Sequence, residues 1–372
     1  MAVALVAHYT GPRLGIGQYI QRLLPPLIEE LQEQKITFKV LASPNAFDKT
    51  PVLRELKDRV EIVKQLDYSP AKRYVWCATS LNRYCRQVEV DSLVWLSNPI
   101  ILPWHPHSLA VIHDVNEWKD SEKYGNRLKT TLRSLIYLDA SFIYARSLVS
   151  VSDATAKDIE RFRPCSRIKD KLKTISNGAD SQLLDLMPAQ IKIPSNPFLL
   201  SVGRIDPAAK NLHKAVELVE NLREQSQKPW ELHLIGGMNA TTQTAGEDFL
   251  MSVRDLPWVA YHGYASDAEL AHWYRRANAV VFLSDNEGFG FPIAEAACFG
   301  RWAIISQNNQ AGTELGGDAV IAISLQQIGE GASIILSRLK TQKFPNISTS
   351  MPSWKNAAVA YAKEISSLES LS

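Results

Sequence analysis

The sequence predicts an α/β protein made of two facing Rossmann-like domains with parallel sheets. Short apolar runs alternate with longer helical patterns along most of the 372 residues. This alternation is typical of a parallel sheet covered by helices on both faces. It is interrupted at one proline-rich stretch and then resumes, and the chain length also fits two domains.

The first domain is predicted over residues 1–187. Its strands are predicted from apolar runs that are too short for helices. They are Val3–Ala7, Lys39–Ala42, Leu93–Leu96, Leu109–Ile112 and Leu148–Ser152. The helices predicted between them are Gln18–Glu33, Arg73–Gln87, Asn126–Leu138 and Ala154–Phe162.

The second domain is predicted over residues 188–354, after the stretch Leu186–Pro197. Three prolines in that stretch (188, 194 and 197) are incompatible with a regular helix or strand and predict a linker. The later strands are predicted at Phe198–Val202, Glu231–Ile235, Trp258–Tyr261, Ala279–Leu283 and Ala303–Ser306. A last helix within about residues 355–372 is free to pack back onto the first domain.

The composition excludes several classes of protein. Lysine plus arginine number 41 and aspartate plus glutamate 39, so the net charge of +2 gives no field typical of a nucleic-acid-binding protein. The four cysteines include no C-x-x-C pair, which argues against a disulfide framework and favours a reducing cytoplasmic compartment. Residues 1–7 are interpreted as a buried strand and not a signal peptide, and no apolar run reaches the ~18 residues of a membrane span.

The strongest local motif is EGFGFPIAE at residues 287–295, directly after a predicted strand. Pro292 suits the first turn of a helix, where its missing N–H costs nothing. A strand, a glycine turn and a helix start form an anion site, because free backbone N–H groups and the positive end of the helix dipole converge there. Glu287 and Glu295 are carboxylates that suit the vicinal hydroxyls of a sugar or ribose. Either glutamate alone is equally typical of a solvated helix.

The second motif is SVGRIDPAAKNL at residues 201–212, again between a strand and a helix. Ligands bind at the carboxyl ends of strands in open α/β sheets. The turn at Asp206 and Pro207 allows Arg204 and Lys210 to point into one crevice, where they match the oxygens of a pyrophosphate. The alternative interpretation is two surface cations on a loop.

Together these motifs resemble the retaining family 4 glycosyltransferases with the GT-B fold. Further motifs match in order and context: GPRLGIGQYI at 11–20, IHD at 112–114, VSDAT at 151–155 and ISNGAD at 175–180. The resemblance therefore spans most of the chain. It departs from the family at Leu14, where many members have a second glycine.

The resemblance implies a role for each matching residue and an active site in the cleft between the domains. Arg204 and Lys210 would hold the donor pyrophosphate and stabilise the departing nucleotide diphosphate. Glu295 would bind the ribose, Glu287 the hexose, and His113 would lie beside the hexose near the acceptor. The loop Gly15–Gly17, with Ile16, would close over the phosphate. Backbone groups of Gly288, Phe289, Gly290 and Phe291 would contact the hexose or distal phosphate.

No metal and no cofactor are predicted, because the chain lacks an Asp-x-Asp pair and the cations Arg204 and Lys210 can neutralise the pyrophosphate. A nicotinamide-dependent dehydrogenase is disfavoured because Ile20 stands where the third glycine of the dinucleotide fingerprint belongs. A P-loop is absent from the sequence. A nucleotide-sugar epimerase and an inert sugar-nucleotide-binding scaffold remain as alternatives.

The predicted donor is UDP-glucose, as the commonest hexose donor of such enzymes, followed by GDP-mannose and UDP-N-acetylglucosamine. The acceptor is a saccharide or a lipid-linked saccharide in polysaccharide or glycoconjugate synthesis. Basic and aromatic residues between Lys72 and Arg86 suit peripheral contact with an anionic membrane surface. The same cluster is more typical of a solvated helix with aromatics that face the core.

Overall fold

The chain divides into two compact units in the computed structural model. The first contains residues 1–178 and 352–372, and the second contains residues 179–351. Described here are residues 2–8, 15–97, 99–119, 138–179, 182–187, 189, 191–239, 242–342, 344–345 and 351–369. The division falls after Gly178, nine residues before the sequence-based boundary at 187, and the proline-rich stretch lies inside the second unit.

The first unit is built on a seven-stranded parallel sheet with the order β3-β2-β1-β4-β5-β6-β7. Its strands are β1 Ala2–Ala7, β2 Thr37–Ala42, β3 Val60–Ile62, β4 Ser92–Trp95, β5 His107–Ile112, β6 Ser147–Ser150 and β7 Leu172–Thr174. The central strands are buried throughout, because helices cover both faces of a parallel sheet. The chain crosses from one half of the sheet to the other between the neighbouring strands β1 and β4.

The helices of the first unit are Gly15–Glu33, Pro44–Lys49, Pro51–Glu55, Pro70–Thr79, Leu81–Gln87, Asn116–Lys119, Ala140–Tyr144, Asp153–Phe162, Ser166–Lys169 and Trp354–Glu369. The single helix predicted over Arg73–Gln87 is wrong, because the structure breaks it at Ser80. The Thr79 hydroxyl donates to the Val75 carbonyl and contacts the Ser80 hydroxyl, and such side-chain bonds compete with the backbone ladder. The helix predicted at Asn126–Leu138 lies outside the described residues, apart from Leu138.

The C-terminal helix Trp354–Glu369 packs in the first unit, against the first helix Gly15–Glu33. Tyr361 is fully buried, and its ring lies 6.4 Å from that of Tyr19. Gly178 lies against the start of this helix so closely that an added Cβ would stand 2.3 Å from the Trp354 ring. A larger residue at position 178 would therefore displace the returning helix.

The second unit is built on a six-stranded parallel sheet with the order β10-β9-β8-β11-β12-β13. Its strands are β8 Phe198–Val202, β9 Glu231–Ile235, β10 Val259–Tyr261, β11 Ala279–Phe282, β12 Trp302–Ser306 and β13 Val320–Ile323. Its helices are Leu212–Ser226, Gln243–Ser252, Asp267–Arg276, Phe291–Cys298, Gln310–Gly316 and Ile328–Thr341. Apolar cores lie on both faces of this sheet. Within the described parts of the chain, no helix is long and apolar enough to cross a membrane.

Candidate functional site

The candidate site lies in the second unit, where the chain changes direction within the sheet. Strand β8 pairs with β11, although two other strands separate them in sequence. Such a switch point leaves a crevice at the carboxyl ends of the two strands, which is where open α/β sheets bind ligands. Both sequence motifs follow these strands, and a pocket at this position is lined by Arg204 and Lys210 on one side and by Phe282 and Leu283 on the other.

A close approach of two backbones shapes the loop after β8. Gly203 has φ +136° and Gly236 has φ +145°, a region that residues with a Cβ rarely adopt. A Cβ on Gly236 would lie 1.8 Å from the carbonyl oxygen of Gly203. The glycines therefore allow the ends of β8 and β9 to come together, and Arg204 follows directly from this turn.

Arg204 lines the pocket, and only part of its guanidinium group is hydrogen-bonded. Its Nη2 donates to Asp206 Oδ2 over 3.1 Å, while its buried Nε has no hydrogen-bond partner. Asp206 also accepts from the backbone N–H of Ala209 and so stabilises the turn that leads to Lys210. A buried unpaired donor on a guanidinium is costly, which makes an anionic acceptor at this place favourable.

Lys210, which lines the pocket, is joined to Glu287 by an ion pair between Nζ and Oε1. The two side chains are 19% and 20% exposed, and the Lys210 ammonium also lies 4.4 Å from the centre of the Phe282 ring. The structure thus brings together one residue from each motif. The predicted phosphate cation and the predicted hexose carboxylate neutralise each other in this state.

A polar network that the sequence analysis missed holds the Lys210 segment in place. Asn211 has φ +48° and donates from Nδ2 to the Leu283 carbonyl (2.8 Å) and to Asp285 (3.3 Å). Asp285 in turn accepts a hydrogen bond of 2.5 Å from Ser306 on β12. The only signal in the sequence is that Asp285 stands two residues before Glu287, and its partners are far away along the chain.

The glycine turn of the second motif leads directly into a helix. Gly290 has φ +100° and caps the helix Phe291–Cys298, with Pro292 in the first turn as the sequence predicts. Phe289 and Phe291 are buried and their rings are 5.1 Å apart, so they anchor the turn on the core. Gly288 remains partly exposed beside Glu287. The start of this helix provides the positive dipole end that favours an anion.

Glu295 lies on the buried side of that helix, whereas Glu287 precedes the helix and is partly exposed. It is 2% exposed, and its Oε2 accepts a hydrogen bond of 2.8 Å from the Tyr274 hydroxyl. The Tyr274 ring stacks on Phe299 at a centroid distance of 5.3 Å. A buried carboxylate with a tyrosine partner also has a structural task, namely to connect the helix Phe291–Cys298 with Asp267–Arg276.

The remaining predicted residues belong to the first unit. His113 follows β5, and its Nε2 contacts the Leu96 carbonyl at 2.8 Å, so this nitrogen carries the proton. Its ring meets the Tyr19 ring edge-to-face at 4.7 Å. Burial lowers the pKa of His113 from 6.5 to about 4, and the imidazole is therefore neutral at pH 7 with Nδ1 as its acceptor atom.

The predicted loop Gly15–Gly17 is helical in the structure. The first helix begins at Gly15, so Ile16 and Gly17 belong to its first turn, and the preceding part of the motif, residues 11–14, lies outside the described residues. Gly17 is buried and Gly15 is exposed. The loop interpretation was wrong for these three residues, and the first helix provides a dipole end at this place instead.

No metal-binding cluster of three or more histidine, cysteine or acidic side chains occurs among the residues that the structure describes. The anionic groups of the site, Glu287 and Asp285, are engaged by Lys210, Asn211 and Ser306. The polar side chains that line the pocket itself are those of Arg204, Lys210 and Ser201, two cations and a hydroxyl, which suit a phosphate.

The family described as "Glycosyl transferases group 1" matches residues 185–324, which include Arg204, Lys210, Glu287 and Glu295. Among curated proteins, the chain is 23% identical over 256 residues to the O-antigen chain mannosyltransferase B of Escherichia coli, covering 66% of this chain and 65% of that protein. It is 27% identical over 179 residues to the serotype-specific mannosyltransferase WbdA of Escherichia coli, covering 44% of this chain and 21% of WbdA. The match thus spans less than two thirds of either relative.

Among solved structures, the chain resembles HepE of Anabaena in complex with UDP and glucose. The TM-score is 0.66 at 15% identity, and the superposition covers 99% of this chain and 97% of HepE. This similarity confirms the predicted fold class, two Rossmann-like units with parallel sheets as in GT-B proteins.

Proposed function

We propose that the protein is a retaining hexosyltransferase, because residues 185–324 match the family "Glycosyl transferases group 1" and the chain has the GT-B fold. It takes a hexose from a nucleotide-diphosphate sugar and transfers it to a hydroxyl of a saccharide or lipid-linked saccharide. The observation that carries this proposal is the ion pair of Lys210 with Glu287, because Lys210 and Arg204 line the pocket at the β8/β11 switch point. A cation that suits phosphate and a carboxylate that suits hydroxyls are therefore in direct contact.

Donor binding in this proposal exchanges one partner of Lys210 for another. The diphosphate draws the Lys210 ammonium toward its oxygens and takes up the unpaired Nε of Arg204. Glu287 is then released to accept hydrogen bonds from the hexose hydroxyls. Glu295 accepts the ribose hydroxyls beside its bond from Tyr274, and backbone N–H groups of residues 288–291 face the hexose or distal phosphate.

Transfer needs no nucleophile from the protein. The acceptor oxygen attacks the anomeric carbon on the face from which the diphosphate leaves, the bond between that carbon and the phosphate oxygen breaks, and a phosphate oxygen takes the acceptor's proton. Arg204, Lys210 and the helix start at Phe291 stabilise the negative charge that develops on the diphosphate. Such preorganised charge lowers a barrier strongly, since one donor contributes about 10²–10³ in rate. A divalent metal is not required, because these groups already neutralise the pyrophosphate.

His113 acts in this scheme as a hydrogen-bonding group and not as a base. Its proton is held on Nε2 by the Leu96 carbonyl, which leaves Nδ1 to accept from a hydroxyl of the hexose or acceptor. A pKa of about 4 makes this nitrogen too weak a base to abstract a hydroxyl proton at pH 7. The Gly15–Gly17 turn contributes backbone N–H groups at the start of the first helix.

Mannose is our first choice for the hexose, followed by glucose. Both curated relatives described above are mannosyltransferases, whereas HepE, which was solved with UDP and glucose, is similar in fold alone. The O-antigen relative also points to a growing polysaccharide chain as acceptor. GDP-mannose and UDP-glucose are therefore the two donors to compare, and the reaction is proposed for the cytoplasmic pool of nucleotide sugars.

A panel of UDP, GDP and ADP sugars in a thermal-shift assay tests the donor, because a ligand at 100 times its Kd stabilises the folded state by about 2.7 kcal/mol. The stabilising donor is then incubated with a panel of acceptors, and the anomeric configuration of the product is determined by NMR. Transfer with retention supports the proposal. Conversion of the donor without an acceptor would favour an epimerase, and binding without any turnover would favour an inert scaffold.

A further inference from the structure

The second unit carries three neighbouring arginines at the amino ends of its strands, on the opposite edge of the sheet from the pocket. We propose that these residues, Arg275, Arg276 and Arg301, bind the phosphate group of a soluble ligand. They are here called the arginine cluster. The inference goes beyond the proposed transfer and does not rest on it, because the cluster lies outside the pocket and outside both sequence motifs.

The pairing of two strands brings the arginine cluster together. The helix Asp267–Arg276 is followed after two residues by β11, and Arg301 directly precedes β12. In this parallel pair Ala279 lies opposite Trp302, so Arg301 stands beside the end of that helix. The pocket lies at the carboxyl end of β11, roughly 13 Å away, because a strand rises about 3.3 Å for each of its four residues.

Hydrogen bonds to neutral carbonyl groups hold two of the three cations in place. Nη2 of Arg301 donates to the backbone carbonyl of Arg275, which belongs to the peptide group between Arg275 and Arg276. Nη2 of Arg275 donates to the carbonyls of Leu184 (2.7 Å) and Leu186 (3.0 Å). The cluster is therefore a fixed arrangement of the fold, and its charges are not neutralised by these bonds.

The arginine cluster has no anionic partner within the part of the chain that the structure describes. Arg276 is exposed, and its guanidinium group makes no hydrogen bond or ion pair there. Nη1 of Arg275 and Nε of Arg301 are buried without a hydrogen-bond partner. Asp185, in the segment that Arg275 holds, forms no ion pair with the cluster. Unpaired donors and unbalanced charge both favour an anion at this place.

The helix dipole explains only part of this arrangement. Cations in the last turn complement the negative end of a helix, which accounts for Arg275 and Arg276. It does not account for Arg301, which comes from another segment and whose guanidinium carbon lies 4.7 Å from the centre of the Phe344 ring. Burial and the charge of Arg276 lower the pKa of Arg301, so the positive charges of the cluster repel each other. A bound anion would relieve this repulsion.

The number of cations favours a phosphate over a carboxylate. Guanidinium groups donate two parallel hydrogen bonds to either anion. A phosphate group carries a charge of about −1.5 to −2 at pH 7, whereas a carboxylate carries a single charge. Three adjacent cations without a counter-charge match the larger charge. Arg276 is the exposed member of the cluster and hence the one that a ligand from solution meets first.

The test is calorimetry with inorganic phosphate on the full chain carrying Arg204→Gln and Lys210→Ala. These changes remove the cations that line the pocket, which would otherwise bind phosphate as well. We expect this pocket variant to bind phosphate, and to bind acetate more weakly. Adding Arg276→Gln should weaken phosphate binding by about tenfold or more, the size of one lost hydrogen bond between charged groups.

Arg254→Gln is the matched control, because Arg254 is also an exposed arginine of the second unit, beside Asp255. Adding it to the pocket variant should leave phosphate binding within about twofold, since an exposed charge far from the ligand contributes little. Thermal unfolding checks that both variants fold. In the chain with an intact pocket, Arg276→Gln should leave transfer unchanged, so failure of the arginine cluster is distinguishable from failure of the proposed function.

Four results would overturn the inference. The first is that the pocket variant does not bind phosphate, and the second is that Arg276→Gln leaves its phosphate binding unchanged. The third is that acetate binds as tightly as phosphate, which would assign the cluster to a carboxylate. The fourth is co-sedimentation with phosphatidylglycerol vesicles that depends on Arg276, without binding of free phosphate. That result would assign the cluster to a lipid headgroup and not to a soluble ligand.

Discussion

Replacing Glu287 with glutamine should change the affinity for free nucleotide diphosphate and the rate of transfer in opposite directions. The Glu287 carboxylate pairs with the ammonium of Lys210, which lines the pocket together with Arg204, and about four fifths of the Glu287 side chain is buried. In the proposed function this carboxylate would therefore compete with the phosphates for Lys210 and also repel them. Glutamine has nearly the same shape but removes both effects.

The expected size follows from Coulomb's law. Two unit charges about 5 Å apart interact by roughly 0.8 kcal/mol in water, and more where water is excluded. Loss of one repelling charge near a diphosphate should therefore tighten its binding by about 0.7–1.4 kcal/mol, which is about three- to tenfold. The hexose meanwhile loses a charged acceptor that contributes about 1.5–3 kcal/mol, so transfer should fall by about one to two orders of magnitude.

Calorimetry with UDP and GDP measures the first effect, and initial rates with the donor and acceptor measure the second. Glu217→Gln is the matched control, because Glu217 also pairs with a lysine, Lys214 (2.7 Å), on the solvent-exposed side of the helix Leu212–Ser226. Its substitution should change neither quantity. Weaker diphosphate binding by the Glu287 variant would show that this carboxylate supports the phosphate site. Unchanged transfer would show that it does not contact the hexose.

Four further outcomes test the site and the fold. Lys210→Ala should lower turnover by about 10²–10³ in a protein that still folds, and near-normal turnover would remove Lys210 from the site. Glu295→Gln should weaken the binding of free diphosphate by about one to two decades if Glu295 contacts the ribose as proposed, whereas an effect confined to thermal stability would leave Glu295 with a structural task, such as its bond from Tyr274. Transfer should survive excess EDTA, and an absolute requirement for Mg²⁺ or Mn²⁺ would exclude the proposed charge neutralisation. Burial lowers the pKa of His8 to about 3 and of His113 to about 4, with the nearby Arg73 as a second cause for His8. The unfolded chain therefore binds more protons below pH 6.5, and the free energy of unfolding should fall by about 1.4 kcal/mol per histidine and pH unit between about pH 6 and pH 4, as urea titrations at several pH values can show.

The sequence determined the fold class and the central strands. Strands such as Leu109–Ile112 and Ala279–Leu283 are continuous apolar runs, because helices cover both faces of a parallel sheet. Burial on both faces is therefore visible in the sequence. The edge strands Val60–Ile62, Leu172–Thr174 and Val320–Ile323 were missed. They are three or four residues long and partly exposed, and too short to show a period.

The sequence also predicted which residue types would carry the candidate site, since a strand followed by glycines and a helix start is local information. Gly290 and Pro292 stand where the chain pattern places them, at the start of the helix Phe291–Cys298. The role of each charge required distances between residues far apart in sequence. Lys210 and Glu287 are 77 positions apart and neutralise each other, while Glu295 turns inward to Tyr274.

Only the tertiary structure shows where the chain divides into two units and that the C-terminal helix packs against the first helix. The proline-rich stretch at 186–197 predicts a break in regular structure. Its composition does not indicate whether the break lies between two units or inside one, and the structure places it inside the second unit. The C-terminal helix joins the first unit because Trp354 and Tyr361 pack with Tyr19, more than three hundred residues away. The pattern of apolar residues in a helix shows that one face must be buried. It does not show which element covers that face, because apolar contacts are not specific for a partner.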